Sequence, residues 1–342
     1  MREKILIIFG AGASYDSVRL DVFDDWTLRP PLATELFAAN RPLFTQYIDR
    51  FPAIRSIIGE LRLVSEDGKL LERELERFQL EAEKDERRHR QLMAVRFYLQ
   101  FALNDCSQQW FYQSHGDTNY TLLLDRIEHW RRAERDRTVT YATFNHERLL
   151  ERSAEAPLET QYDTLDSYIS AEAATIIKPH GSVDWGVIAL NRGTEHLEER
   201  HLIERAAQLR FSQDYVRISP GQTYLGDRGP IAPAIAIPFQ TLKSFACPDS
   251  HLVKLTMDIS AATRILVIGW RGAESHFLEK LRDGLKGRVV PIMVVAQSEA
   301  AAEETVRNMR DSGKVPGDYR ICPAKGFSAF LATKDFLEEF LA

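Results

Sequence analysis

The sequence predicts an α/β fold: a parallel sheet with helices on both faces and a helical insertion. Three observations carry the prediction. Four short apolar runs rich in β-branched residues, at 5–9, 139–142, 265–268 and 289–295, have the length and composition of buried parallel strands. Each is followed by turn-permissive residues or a helical pattern, an alternation that places helices over both faces of the sheet. Residues 41–134 carry no strand signal. Within them, LLERELERFQLEAEKDERRHRQLMAVRFYLQFALNDCSQQWFY sets apolar positions at heptad-like spacing among charges, the pattern of one or two long amphipathic helices. The prediction is therefore a Rossmann-like body, 1–40 plus 135–342, interrupted by a helical insertion at 41–134.

The first strand lies in EKILIIFGAGASYD, residues 3–16, and stops in Gly10, Ala11, Gly12, Ala13 and Ser14. So little side chain has two readings. Bare backbone lets main-chain N–H groups approach a phosphate, or it lets the strand end pack closely on a neighbour. The G-x-G-x-x-G fingerprint of dinucleotide folds is absent, because Tyr15 stands where its third glycine belongs.

The second strand runs into VTYATFNHERLLE, residues 139–151. A polar side chain at the carboxyl end of a parallel strand faces the crevice where such sheets bind ligands, which places Asn145 there. Asn145 also suits a helix cap, and Glu147 suits the positive end of the following helix. A fifth strand is expected at 175–177, inside ATIIKPHGSVDWGV. His180 follows it between Pro179 and Gly181, which fix a tight turn and present the imidazole to the same sheet end.

Residues 191–230 read as a second insertion, with a charged helix, TEHLEERHLIERAAQLRF, and then a Gly- and Pro-rich loop, SPGQTYLGDRGP. AIAIPF at 234–239 reads as extended. In ILVIGWRGAESHFLEKL, residues 265–281, a strand again ends in glycine. Gly269 gives a ligand access to backbone, Trp270 either walls a nucleotide pocket or fills the core, and Phe277, Leu278 and Leu281 have helical core spacing.

Composition narrows the function classes. The formal charge of −6 is spread over both signs, and acid is interleaved with base in EKDERRHRQ, so no nucleic-acid surface is expected. The cysteines, Cys106, Cys247 and Cys322, are three, scattered and without a C-x-x-C, which argues against a zinc site and for a reducing cytoplasm. The apolar part of the N-terminus, residues 5–9, is shorter than the roughly 7–15 residues of a secretory signal. No run approaches the roughly 18 residues of a membrane span. A nuclease is disfavoured by the lack of an acidic metal-ligand cluster, and a dehydrogenase by Tyr15.

Taken in order, the four segments resemble the sirtuin-like superfamily, in particular its zinc-free bacterial branch associated with NAD depletion during phage defence. The family's G-A-G-x-S turn is matched by Gly10 to Ser14. Its T-x-N-(hydrophobic)-D segment is matched by Thr143, Asn145 and Glu147, with His146 in place of the hydrophobic residue and Glu147 in place of aspartate. Its K-x-H-G turn is matched by Lys178, His180 and Gly181, followed by Ser182 and Trp185. Its late strand ending in G-(aromatic) is matched by Gly269 and Trp270, and KGFSAFLATKDFL resembles its closing segment. The family's Gly-Ile/Leu-Pro motif is reduced to the Pro-Pro of RPPLATELF, residues 29–37, and its paired zinc cysteines are missing.

The resemblance implies NAD as substrate, held by Gly10, Ala11, Gly12, Ala13 and Ser14 with Thr143, Glu147, Gly269 and Trp270. It makes Asn145 and His180 the catalytic pair, without metal. Asn145 would orient a water or ribose hydroxyl, and His180, with an ordinary pKa of about 6.5, would take its proton. The implied activity is NAD hydrolysis to nicotinamide and ADP-ribose by a cytoplasmic defence effector. Such an effector would act as a homo-oligomer or with a separate partner, for which the helices of 69–113 offer a surface. The alternatives are a module that senses NAD or ADP-ribose without cleaving it, and a protein deacylase.

Overall fold

The computed structural model describes residues 3–23, 25–65, 68–171, 174–190, 198–237 and 245–342. Its main sheet has six strands: β1 (Glu3–Phe9), β2 (Arg137–Thr143), β3 (Thr175–Ile177), and, after three strands of a second sheet, β7 (Arg264–Ile268), β8 (Val290–Ala296) and β9 (Gly317–Lys325). The order is β3-β2-β1-β7-β8-β9, and every pair is parallel. All five expected strands are present. Their apolar runs do not alternate because both faces are covered: Ile5, Ile7 and Phe9 belong to one core, Leu6 and Ile8 to the other. The edge strand β9 was not foreseen, because its sequence GDYRICPAK is largely solvent-facing and has no apolar run.

The helices Asp249–Ala261, Ser275–Leu285 and Glu299–Arg307 cover one face through Leu255, Ile259, Phe277, Leu281 and Val306. The other face lies under the helical stretch. Residues 69–113 form two helices, as expected, Gly68–Ala82 and Glu86–Gln113. Asp85 caps the second by accepting a hydrogen bond from the Arg87 N–H.

That second helix departs from the amphipathic expectation. Residues 92–95 and 97–103 are all buried, so its middle is enclosed on nearly every side. Phe78, Phe97, Tyr98 and Trp110 join the same continuous core as Ile7 and Phe9. Residues 41–134 therefore have no core of their own, and the middle of the long helix is closed off from the surface.

The second sheet is small and antiparallel: β4 (Gly181–Ala189), β5 (Phe211–Arg217) and β6 (Ile231–Ile235), in the order β5-β4-β6. This corrects in part the reading of 191–230 as helix plus loop: the expected loop is present at 219–230, but a strand, β5, stands between it and the helix. Of the charged stretch, residues 191–197 lie outside the described residues, Glu199–Glu204 is helical, 205–208 is turn, and the strand begins at Phe211. β4 escaped notice because Gly181, Asp184 and Gly186 interrupt its apolar pattern, although all nine of its residues are buried. The extended AIAIPF is met at 234–235 by β6, while 238–239 lie outside the described residues. Gln100 ties the long helix to this sheet, donating from Nε2 to Val183 O at 2.9 Å and accepting from Gly221 N at 3.2 Å. Among the described residues, no helix is long and apolar enough to cross a membrane.

Candidate functional site

Two strand ends meet first. Beyond β1, Gly10 leads into a single helical turn, Ala11–Tyr15, and beyond β7 the chain turns at Gly269. Gly10 N donates to Ile268 O, Gly12 N to Gly269 O, and Ala13 N to Gly10 O, at 2.9–3.1 Å. A Cβ on Gly10 would lie 2.6 Å from Gly269 O and from Trp270 Cα. One on Gly269, at φ +62°, would lie 2.2 Å from Ala13 N. Close packing of the two turns thus accounts for Gly10 and Gly269, and three of the N–H groups offered to a phosphate are already bonded. The Ala11 N–H has no partner among the described residues. Gly269→Ala is expected to destabilise the fold by about 2 kcal/mol or more, from the left-handed backbone and the overlap together. A urea unfolding curve measures this.

Asn145 is buried and packs onto the first of these turns. Its Nδ2 donates to Gly10 O at 3.0 Å and Ser14 Oγ at 2.7 Å, with Tyr120 Oη at 3.3 Å, while its N–H donates to Thr143 Oγ1 at 3.2 Å. Ser14 passes its own proton to Glu147 Oε1 at 2.5 Å, so it is not a donor left over for a ligand. Glu147 Oε2 accepts from Leu149 N at 2.5 Å and caps the helix Leu149–Leu158, the role Asn145 alone would have suggested for itself. Burial raises the Glu147 carboxyl above its ordinary pKa against the opposing pull of Lys178. Tyr120 is a member of the network that the sequence did not reveal. It lies in an ordinary helical pattern and reaches the site only through the tertiary fold.

The Lys-Pro-His-Gly segment enters from β3. Lys178 Nζ donates to Glu147 O at 2.5 Å and Glu151 Oε1 at 2.8 Å, and both side chains of this ion pair are fully buried. Tyr168 Oη also donates to Glu151, at 2.9 Å. The turn is fixed as expected. Pro179 O and His180 O accept from Ala246 N and Ala236 N, and Gly181 has φ +80° with Ala234 O only 1.8 Å from where a Cβ would stand.

The His180 ring meets Phe144 edge-on at 4.9 Å and lies over His146 at 6.1 Å. It lines a cavity of about 410 Å³ between the small sheet and the start of the helix Ser275–Leu285. Neither Asn145 nor the Gly10–Ser14 turn lines that cavity. The two expected catalytic residues are therefore turned apart: Phe144 and His146 face His180, and Asn145 between them faces the glycine turn. Trp270 is core rather than pocket wall. It is 3% exposed, stacks on Phe144 at 5.2 Å, and donates from Nε1 to Glu274 at 2.6 Å.

Burial lowers the His180 pKa to about 4, and burial with neighbouring His180 lowers His146 to about 3. Both rings are neutral at physiological pH. Because the unfolded chain binds these protons more readily than the folded one, stability is expected to fall as pH drops from about 6.5 toward 4. Melting temperature against pH shows this, and His180→Asn is expected to flatten part of the slope.

No family model and no curated protein matches the chain. Among solved structures it is similar to a Sir2 homologue–NAD complex, at 12% identity and a TM-score of 0.39 over 99% of this chain and 91% of that one. It is also similar to Sir2Tm bound to a propionylated peptide, at 12% identity and a TM-score of 0.39 over 100% and 94%. The fold class rests on the strand order and pairing above.

Proposed function

We propose that the chain binds NAD and hydrolyses it to nicotinamide and ADP-ribose. One observation supports the reading above others: the four segments that suggested it, scattered from residue 10 to residue 270, are bonded to one another at one end of the sheet. Asn145 holds Gly10 and Ser14, Lys178 holds Glu147 O, Gly269 O holds Gly12, and Trp270 stacks on Phe144.

Cleavage of the nicotinamide–ribose bond develops positive charge at the anomeric carbon, as in glycoside hydrolysis. Both amide protons of Asn145 are spent on protein acceptors, and its Oδ1 takes no hydrogen bond among the described residues, leaving it to orient a water or ribose hydroxyl. His180, neutral at working pH, faces its own cavity on the other side of the Phe144–His146 segment, and in this reading it accepts the proton from a substrate that reaches into that cavity. Ser14, Thr143 and Glu147 act as positioning residues for Asn145. The chain would then serve as an NAD-depleting effector in defence, alone, as an oligomer or with a partner.

Two other readings each have an observation in their favour. Room beside His180 for a second substrate favours a deacylase, and the turning apart of Asn145 and His180 favours a sensor that binds without cleaving. Incubation with NAD, with and without an acyl-lysine peptide, separates them. Nicotinamide released without peptide supports hydrolysis. Release only with peptide identifies a deacylase, and thermal stabilisation by NAD without release identifies a sensor.

A further inference from the structure

Arg96 sits midway along the helix Glu86–Gln113, between the buried runs 92–95 and 97–103, and lines the cavity beside His180. Its guanidinium makes no hydrogen bond or ion pair to any described residue, and its Nε is shut off from solvent. Burial lowers its pKa, opposed only by Tyr215. Arg96 is half-buried, and a partly enclosed cation without a counter-charge is costly; proteins keep such groups where something else supplies the anion.

A second polar atom of the same wall is in the same condition: His276 Nε2 is buried without a partner. The acids that also line the cavity do not satisfy Arg96. Asp249 is exposed, and Glu274 holds Trp270 Nε1 through Oε2. Tyr215 and Phe245 add flat apolar wall, and about 410 Å³ falls in the size range of small-ligand pockets.

We propose that this cavity is a binding site for a small ligand bearing an anionic group, phosphate or carboxylate, gripped by Arg96 with His276 as second partner and facing His180. A planar guanidinium suits either anion, since both accept two parallel N–H bonds. The inference goes beyond NAD cleavage and does not depend on it.

The test is calorimetry and thermal melting of the full chain, without NAD, titrated with ribose 5-phosphate in one arm and succinate in the other, against sodium chloride of equal ionic strength. Saturable binding and a raised melting temperature are expected in one arm, which then names the anion. Arg96→Gln is expected to weaken that binding by about tenfold or more, while its unliganded melting temperature is no lower than that of the wild type. Arg96→Lys, which keeps the charge but loses the fork, is expected to fall between. Stabilisation no greater than chloride gives in both arms, or equal binding by Arg96→Gln, overturns the proposal. A chain that cleaves NAD yet ignores both anions defeats this inference alone.

Discussion

His180→Ala is expected to lower nicotinamide release by ~10²–10⁴-fold, the usual contribution of a positioned general base, with little change in melting temperature. The ring borders a cavity rather than the close-packed core, so its removal leaves few contacts unmade. His146→Phe is the informative companion. It keeps the packing against His180 and removes a ring whose Nδ1 is buried without a partner, so release is expected to stay within a few-fold of wild type. A reversed pattern would exchange the roles of the two histidines. The pH dependence of kcat/KM adds an independent reading: its acid limb is expected near pH 4 rather than 6.5, because burial holds His180 neutral down to about that value.

Lys178→Met is expected to cost about 3–5 kcal/mol of stability, the penalty for leaving one member of a buried ion pair alone. Glu151 would keep only the Tyr168 hydroxyl as a hydrogen-bond partner, with Arg148 as a more distant counter-charge, in a position closed to water. Chemical unfolding followed by tryptophan fluorescence measures the loss. The double variant Lys178→Met, Glu151→Leu is expected to recover at least half of it, since apolar replacement of a whole buried pair is often near neutral. Nicotinamide release is expected to stay impaired in the double variant, because Lys178 also anchors the carbonyl of Glu147 and with it the segment that carries Asn145.

The sequence disclosed those parts of the molecule whose burial is uniform. β1, β2, β7 and β8 are covered on both faces and so appear as unbroken apolar runs, and the turn at His180 is marked by the proline and glycine that shape it. β9 and β5 are partly solvent-facing, and β4 is interrupted by glycine and aspartate, so none carries a clean period. The site divided in the same way. Asn145 and His180 sit at strand ends where topology directs side chains to a crevice. Tyr120 and Arg96 occupy unremarkable helical positions, and only the folding of the insertion over the sheet brings them to the site. Trp270 shows the limit of reading one residue type: an indole after a strand-end glycine fits a ligand wall and a core stack equally well, and here Phe144 claims it.

Because the inserted helices and the central sheet draw on one shared apolar interior, neither half is expected to survive as an excised fragment. Trimming residues 41–134 to reach a minimal catalytic module would bare Phe9, Tyr141 and Phe327 to water and remove Tyr120 from the glycine turn. Residues 41–134 are thus part of the protein's single interior, not a detachable cover over it.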